Sequence, residues 1–203
     1  REGYRKAAKH ATAELGEPVN HKRALRVWRR EELIVPKKHR KRRRGKGLPH
    51  LPKAVRPNHV WAMDFVSDSS RDGRALRFFA VTDEFTRESL CIVVARSFKA
   101  QDVKVTLETL FRIYGRPLFI RCDNGPEFVA KMVKNWRDGQ GVNTSYIEPG
   151  KPWQNGTCES FNGWFRAECL DMEVFFGVRD AQATVDEWRR HYNETRPHGS
   201  LGY

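Results

Sequence analysis

From residue 59 onward, the spacing of apolar positions alternates between strand-like and helix-like segments. Three strand-like stretches come first, "HVWAMDFVS" (59–67), "ALRFFAVTDEF" (75–85) and "SLCIVVARS" (89–97), and they predict an antiparallel meander. Predicted helices then cover 100–115, 127–139, 155–170 and 180–194, and predicted strands cover 117–122 and 144–148. This order predicts an α/β fold, in which a mixed sheet carries helices on its faces.

The first sixty residues follow a different pattern. Residues 4–15 contain good helix formers throughout, "GEPVN" interrupts them, and Asn20 is a candidate N-cap for a second helix over 21–33. Two short basic helices with a tight break between them are typical of a DNA-binding module, and equally of a helical hairpin packed on the main domain. Residues 36–56 offer almost nothing to bury and predict a charged linker.

Charge divides the chain in the same place. Residues 1–60 hold 19 of the 38 Lys and Arg residues but only 5 of the 25 Asp and Glu residues, so the excess positive charge lies there. A basic segment joined to a near-neutral body predicts a polyanionic partner, most simply nucleic acid, although a localisation signal has a similar composition. The candidate DNA contacts in this segment are Lys37, Lys38, Arg40, Lys41, Arg42, Arg43 and Arg44.

Other features exclude several classes of protein. No apolar run approaches the length of a membrane span, so we expect no membrane partner. The four cysteines form no CxxC pair, which argues against a zinc site and favours reduced thiols in the cytoplasm. The chain begins with Arg1 rather than Met, and we expect it to be part of a longer protein.

Asp64 is the first candidate for chemistry. Both faces of its strand are apolar, which predicts a central strand covered on both sides. A lone carboxylate there is costly unless something compensates its charge. Water at an edge strand or an arginine partner could compensate the charge of Asp64, but we favour a bound cation.

Asp123 is the second candidate, in "IRCDNGPEFVA" (120–130). Asp-Asn-Gly is ordinary turn sequence, so Asp123 could simply begin a turn. It also ends a predicted strand, and ligand sites in such sheets lie beyond strand ends.

Glu159 is the third candidate, on the predicted helix 155–170. Cys158, Phe161, Phe165 and Cys169 form the apolar stripe of that helix, and Asn155, Glu159, Asn162 and Arg166 form a neighbouring polar stripe. A helix packed on the sheet would aim Glu159 at the sheet edge, whereas an isolated Glu usually faces solvent. Two aspartates and a glutamate could hold two Mg²⁺ ions for phosphodiester chemistry.

Five blocks of sequence resemble the integrase-type DDE transposases of bacterial insertion sequences. They are "WAMDF", "VTDEFTRESL", "CDNGPEF", "PGKPWQNGTCESFNGWFRAECL" and "YNETRPHGSLGY", and thirty-five residues separate Asp123 from Glu159. The resemblance implies an RNase H-like core over residues 58–203, after a helix-turn-helix-like segment (1–35) and a basic linker (36–57). It also implies that Asp64, Asp123 and Glu159 are the catalytic triad. The triad would hold two Mg²⁺ or Mn²⁺ ions for strand cleavage at element ends and strand transfer.

The resemblance carries further expectations. Lys151, Asn155, Asn162 and Arg166 become candidates for phosphate or base contact, with helix capping and surface solvation as the alternatives. Asp83 and Arg87 are expected to be a local structural pair, and His198 a structural loop residue. The expected partners are DNA at the element ends and target, an upstream DNA-binding part of the transposase, and further copies of the chain on DNA, at the bacterial nucleoid.

Three other functions fit part of this pattern. An RNase H-like nuclease that cuts but does not join would need the same carboxylates. A non-catalytic DNA-binding relative would be marked by a missing carboxylate, and all three are present. A basic protein held to nucleic acid by charge alone would explain residues 1–60 but not 61–203.

Overall fold

A computed structural model describes residues 3–33, 53–146 and 156–196. The chain divides into two compact units, one with the described residues 3–33 and the other with those from 53 to 196. The division into segments 1–35, 36–57 and 58–203 stays a prediction. The following predicted residues lie outside the described part: Lys37, Lys38, Arg40, Lys41, Arg42, Arg43, Arg44, Lys151, Asn155 and His198.

The N-terminal unit contains two helices that pack against each other, α1 (Tyr4–Leu15) and α2 (His21–Arg30). Gly16 ends α1 with φ 68°, the left-handed conformation that glycine adopts readily. The Asn20 side chain accepts a hydrogen bond from the Lys22 amide at 2.9 Å, so the predicted N-cap is confirmed. No residue of α2 is fully buried.

The second unit contains a five-stranded sheet in the order β3-β2-β1-β4-β5. The strands are β1 (Val60–Ser69), β2 (Ala75–Asp83), β3 (Ser89–Ala95), β4 (Phe119–Cys122) and β5 (Asn143–Tyr146). β1, β2 and β3 pair antiparallel as the predicted meander, and β4 and β5 add parallel to β1. The mixed sheet and the central position of β1 are therefore confirmed.

Helices cover both faces of this sheet. One face packs on α3 (Ala100–Tyr114), α4 (Pro126–Val129) and α5 (Lys131–Gly139). The other packs on α6 (Gly156–Glu168) and α7 (Val178–Glu194), with a 3₁₀ turn at Leu170–Met172 between them. In the part of the chain that the structure describes, no helix is long and apolar enough to cross a membrane.

Side chains of alternating direction divide the core into two layers. Trp61 and Met63 pack with the α3 side, while Val66 packs with the α6 and α7 side. On the first side the rings of Phe65 and Phe128 stack with centroids 4.9 Å apart, and on the second Phe78 meets Phe165 edge-on at 5.5 Å. β1 thus lies between two apolar layers, and the layers fix its position.

One predicted helix is wrong in detail. The sequence predicts a single helix over 127–139, but Ala130 has extended geometry (φ −51°, ψ 128°) and separates α4 from α5. The Phe128 carbonyl, which a continuous helix would bond internally, accepts a hydrogen bond from Arg137 at 3.0 Å. Apolar periodicity does not reveal such a break, because both helices present apolar residues to the same layer.

Candidate active site

The register of β1 and β4 brings two of the three candidate carboxylates together. Ala62 lies opposite Arg121 in this parallel pair, so two further residues set Asp123 beside Asp64. Both side chains then point to the same face, the one that α6 covers. Asp64 is half-buried near the middle of β1, and Asp123 is exposed just past the end of β4.

Asp64 is held by two hydrogen bonds. Its Oδ1 accepts from the Phe65 amide and its Oδ2 from the Asn162 side chain, each at 2.8 Å. The pKa of Asp64 is raised to about 6, mainly by burial and in addition by the negative charges of Asp123 and Glu159. The two hydrogen bonds act in the opposite direction. The three carboxylates therefore share one electrostatic environment.

Asp123 also organises the turn that follows it. Its Oδ1 accepts a hydrogen bond from the Gly125 amide at 2.9 Å, so Asp-Asn-Gly does form a turn that begins at Asp123. A Cβ on Gly125 would lie 3.0 Å from Asp123 Oδ1, tighter than ordinary contact. Gly125 therefore leaves room for the Asp123 carboxylate, and the turn holds that carboxylate at the strand end.

Glu159 lies in the first turn of α6 and is exposed. Cys158, Phe161 and Phe165 are buried against the sheet, as the apolar stripe predicts. On the polar stripe, Asn162 bonds to Asp64, and Arg166 donates to the Ser67 carbonyl at 2.8 Å and lies 3.4 Å from Asp68. The stripe that carries Glu159 thus runs along β1 from Asp64 to Asp68.

This donor set suits a divalent cation. Carboxylate oxygens are the ligands that hard cations prefer, and a cation would relieve the repulsion that raises the pKa of Asp64. Across the described ranges, none of the three carboxylates forms an ion pair, and no three acidic, His or Cys side chains converge into a preformed metal cage.

Cysteine chemistry does not fit this site. All four cysteines are free thiols, as predicted. Cys122 precedes Asp123 directly but points into the opposite, apolar layer. Burial raises the pKa of the Cys122 thiol to about 11, so the thiol stays protonated near neutral pH.

Two arginines support the Asp123 turn, and sequence reasoning missed both. Arg77 on β2 pairs with Glu127 at 2.6 Å and stacks over Phe65 at 4.2 Å. Arg137 on α5 is fully buried and bonds to the Phe128 carbonyl at 3.0 Å. No local sequence pattern predicts either contact, because the partners lie on different helices or strands.

Asp83 and Arg87 are joined locally through the backbone, because the Arg87 amide donates to the Asp83 carbonyl at 2.9 Å, while their side chains bond to other groups. Asp83 is structural, but its carboxylate accepts backbone amides, from Asn58 at 2.7 Å and from Phe85 at 2.7 Å. The Arg87 guanidinium instead donates to the Thr157 hydroxyl on α6 at 2.7 Å. A spacing of four residues suggested the pair, but the hairpin turn directs Arg87 towards α6.

The predicted DNA contacts have mixed positions. Asn162 lies beside Asp64, whereas Arg166 lies farther along β1, at Ser67 and Asp68, and also contacts Asp171. The Asn162 Oδ1 atom is buried and has no hydrogen-bond partner in the structure as described. Contact of these residues with DNA stays a prediction.

The Integrase core domain family matches the chain over residues 54–152 and again over residues 140–203. A 31.7 kDa uncharacterized protein of insertion element IS407 from Burkholderia multivorans is 40% identical over 206 residues, covering 99% of this chain and 72% of that protein. The chain belongs to the insertion-element transposases with an integrase core domain. Its function is therefore DNA transposition, and its enzyme class is a transposase of the integrase type.

A more distant relative agrees with this family, and a solved structure agrees with the fold. Transposase InsD of insertion element IS2 from Escherichia coli is 27% identical over 222 residues, covering 99% of this chain and 70% of InsD. The magnesium-bound catalytic core domain of HTLV-2 integrase has a TM-score of 0.56 at 15% identity, covering 74% of this chain and 95% of that one. This likeness confirms the RNase H-like fold. Cores of the integrase family depend on divalent metal ions in general.

Proposed function

We propose that this chain carries the catalytic centre of its transposase, with Asp64, Asp123 and Glu159 as the ligands of two Mg²⁺ or Mn²⁺ ions. The observation that carries the proposal is the burial and the electrostatic environment of the Asp64 carboxylate. It is half-buried, its pKa is raised by burial and by the two other carboxylates, and it makes no ion pair with the described residues. Among the described residues, no positively charged side chain pairs with Asp64, so its carboxylate suits a bound divalent cation.

The proposed reaction is two in-line displacements at phosphorus. A water oxygen attacks a phosphodiester at the element end, the bond from phosphorus to the 3′ oxygen breaks, and that oxygen leaves as a 3′-OH. The 3′-OH then attacks another phosphodiester: its oxygen forms a new bond to that phosphorus, the bond from the phosphorus to its former 3′ oxygen breaks, and that oxygen leaves as a second 3′-OH. Bound divalent ions would supply Lewis-acid stabilisation of the attacking and leaving oxygens.

The chain's own residues prepare this chemistry. The hydrogen bonds from Phe65 and Asn162 each occupy one lone pair on a different oxygen of Asp64 and leave the others available. The Gly125 amide holds Asp123 at the end of β4. The packing of Phe161 and Phe165 keeps α6, and with it Glu159, over the sheet.

DNA binding extends the same proposal. The element ends and the target are the expected DNA partners, bound with an upstream DNA-binding part and with further copies of the chain, at the bacterial nucleoid. The residues proposed to contact DNA are Lys37, Lys38, Arg40, Lys41, Arg42, Arg43, Arg44, Lys151, Asn155, Asn162 and Arg166. Phosphate contacts of this kind position the DNA without specifying its sequence.

The test is a cleavage and joining assay with the complete transposase on labelled DNA that carries the element ends. Mg²⁺ or Mn²⁺ should support both steps in the wild type. Asp123→Asn should lower both rates by roughly 10²-fold or more, the usual size of effect when one stabilising group is removed. DNA binding, followed by mobility shift, should survive.

Asp138→Asn is the matched control, because Asp138 is an exposed aspartate on α5. It should cut and join like the wild type. Cutting without joining would favour the RNase H-like nuclease instead. DNA binding without cutting in either metal would make the chain a non-catalytic relative and return Asp123 to a turn residue.

A further inference from the structure

The three candidate carboxylates are held in place by different means. Asp64 and Asp123 belong to neighbouring strands, so the sheet register fixes their separation. Glu159 belongs to the first turn of a helix, and residues at a helix start lack the internal hydrogen bonds that hold later turns. Its position against the sheet therefore depends on side chains that anchor that turn.

Arg87 provides such an anchor. It lies between β2 and β3, and its Nη1 donates to the Thr157 hydroxyl at 2.7 Å. Thr157 is the second residue of α6, only two residues before Glu159. Both partners are half-buried, so solvent competes less for this hydrogen bond than at an open surface.

The backbone of Arg87 is itself tightly held. Arg87 has φ 66°, in the left-handed region that few side chains adopt, and its amide donates to the Asp83 carbonyl at 2.9 Å. The Asp83 carboxylate accepts the amides of Phe85 at 2.7 Å and Thr86 at 3.1 Å, so the whole turn is bonded to one buried side chain. An unfavourable backbone conformation persists only where the surroundings impose it.

The charge of Arg87 is not used in a direct ion pair with any described residue. The nearby buried Glu84 is paired with Arg121 at 2.5 Å, and burial raises the pKa of Glu84 while the charges of Arg121 and Arg87 lower it. The one described hydrogen bond of the Arg87 guanidinium goes to a neutral hydroxyl on α6. The geometry therefore links the hairpin turn to the helix start.

We propose that Arg87 is a positioning residue, which acts through Thr157 to hold the first turn of α6 and so places Glu159 against Asp64 and Asp123. This inference rests on the proposed function, because it requires Glu159 to be a metal ligand. Arg87 touches neither the metal nor the DNA in this role.

The experiment measures Mn²⁺ binding to the complete protein without DNA, from the free Mn²⁺ signal in electron paramagnetic resonance. Thr157→Val removes the hydroxyl but keeps the shape, and Arg87→Met removes the donor but keeps an unbranched chain. Each should weaken Mn²⁺ binding by about 10- to 100-fold, the usual effect of removing a group that orients a ligand. The Mn²⁺ concentration for half-maximal cleavage should rise in parallel, without a change in thermal unfolding.

Two comparisons separate positioning from general damage. Thr157→Ser retains the hydroxyl and should bind Mn²⁺ within about threefold of the wild type, as should Thr109→Val, a matched control on the exposed side of α3. The double variant Arg87→Met with Thr157→Val should bind no more weakly than the weaker single variant, because both changes break one hydrogen bond.

The positioning role would be overturned if Thr157→Val bound Mn²⁺ as tightly as the wild type. It would also be overturned if the two losses of Mn²⁺ affinity multiplied in the double variant. If Arg87→Met does not fold, the two Thr157 variants still decide the question. Glu159→Gln tests the premise separately. If Glu159→Gln binds Mn²⁺ as tightly as the wild type, Glu159 is not a ligand and the proposed function itself fails.

Discussion

Arg137 is a fully buried arginine whose guanidinium joins three elements around Asp123. It donates to the Phe128 carbonyl at 3.0 Å and to the Tyr146 hydroxyl at 2.9 Å, and it lies 4.0 Å from the Cys122 sulfur. A buried charge costs several kcal/mol of desolvation, and nothing in the described part of the chain pairs with it as an anion. We therefore expect Arg137 to stabilise the fold by linking the two ends of the Asp123 turn to the last residue of β5.

Arg137→Ala should lower the free energy of unfolding by about 2–4 kcal/mol. The substitution leaves a cavity and deprives the Phe128 carbonyl and the Tyr146 hydroxyl of their donor. Arg137→Met should be milder, because it keeps most of the volume and removes the buried charge. Urea unfolding followed by circular dichroism measures both, with exposed Arg112→Ala as the control. An unchanged midpoint for Arg137→Ala would show that the linkage adds no stability.

Local side-chain bonds set the ends of the helices, whereas packing sets their orientation. Asn20 caps α2 through the Lys22 amide, and Asp102 in the first turn of α3 accepts the Lys99 amide at 2.7 Å. Gly115 ends α3 with φ 84°. The start of α2 depends on its cap more than most, since α2 has no fully buried residue to hold it.

Asn20→Ala should destabilise the first turn of α2 by about 1 kcal/mol, the usual cost of removing an N-cap. Amide hydrogen exchange in the complete protein measures this directly, and the amides of residues 22–24 should exchange about fivefold faster. Asn20→Asp keeps a capping oxygen and should exchange like the wild type. Equal exchange in the alanine variant would mean that tertiary contacts, not the cap, start this helix.

At the scale of the whole molecule, charge and catalytic candidates occupy different parts of the chain. Half of the Lys and Arg residues lie in residues 1–60, while all three candidate carboxylates lie in the near-neutral remainder. Long-range attraction to DNA and the chemistry on DNA can then depend on different residues.

DNA affinity should fall steeply with salt, and the segment "KKHRKRRR" should account for much of the slope. Replacing Lys37, Lys38 and Arg40 to Arg44 by Gln should reduce the log–log slope by up to roughly 0.9 for each phosphate that these side chains neutralise. Fluorescence anisotropy between about 50 and 200 mM salt gives the slope. A variant with the same residues in permuted order should keep the wild-type slope. A flat response in the wild type would remove this segment from DNA binding.

Much of the architecture was predictable, because it follows from short-range patterns of apolar and polar residues along the sequence. Strand alternation around Asp64 predicted a central strand covered on both sides, and β1 occupies that place. The apolar and polar stripes of α6 predicted which residues face the sheet, and Asn162 and Arg166 contact β1 as that pattern requires. Asn20 was recognisable as a cap, because capping chemistry depends on a few neighbouring residues.

The tertiary structure alone decided how distant segments meet. Only the parallel pairing of β4 with β1 sets Asp123 beside Asp64, and no local spacing encodes that register. The break at Ala130 and the bond from Arg87 to Thr157 each depend on a partner from another element. The sequence by itself thus determined the elements, their buried faces and the candidate carboxylates. The fold decided their register and their supporting contacts, because these arise from packing between residues far apart in the chain.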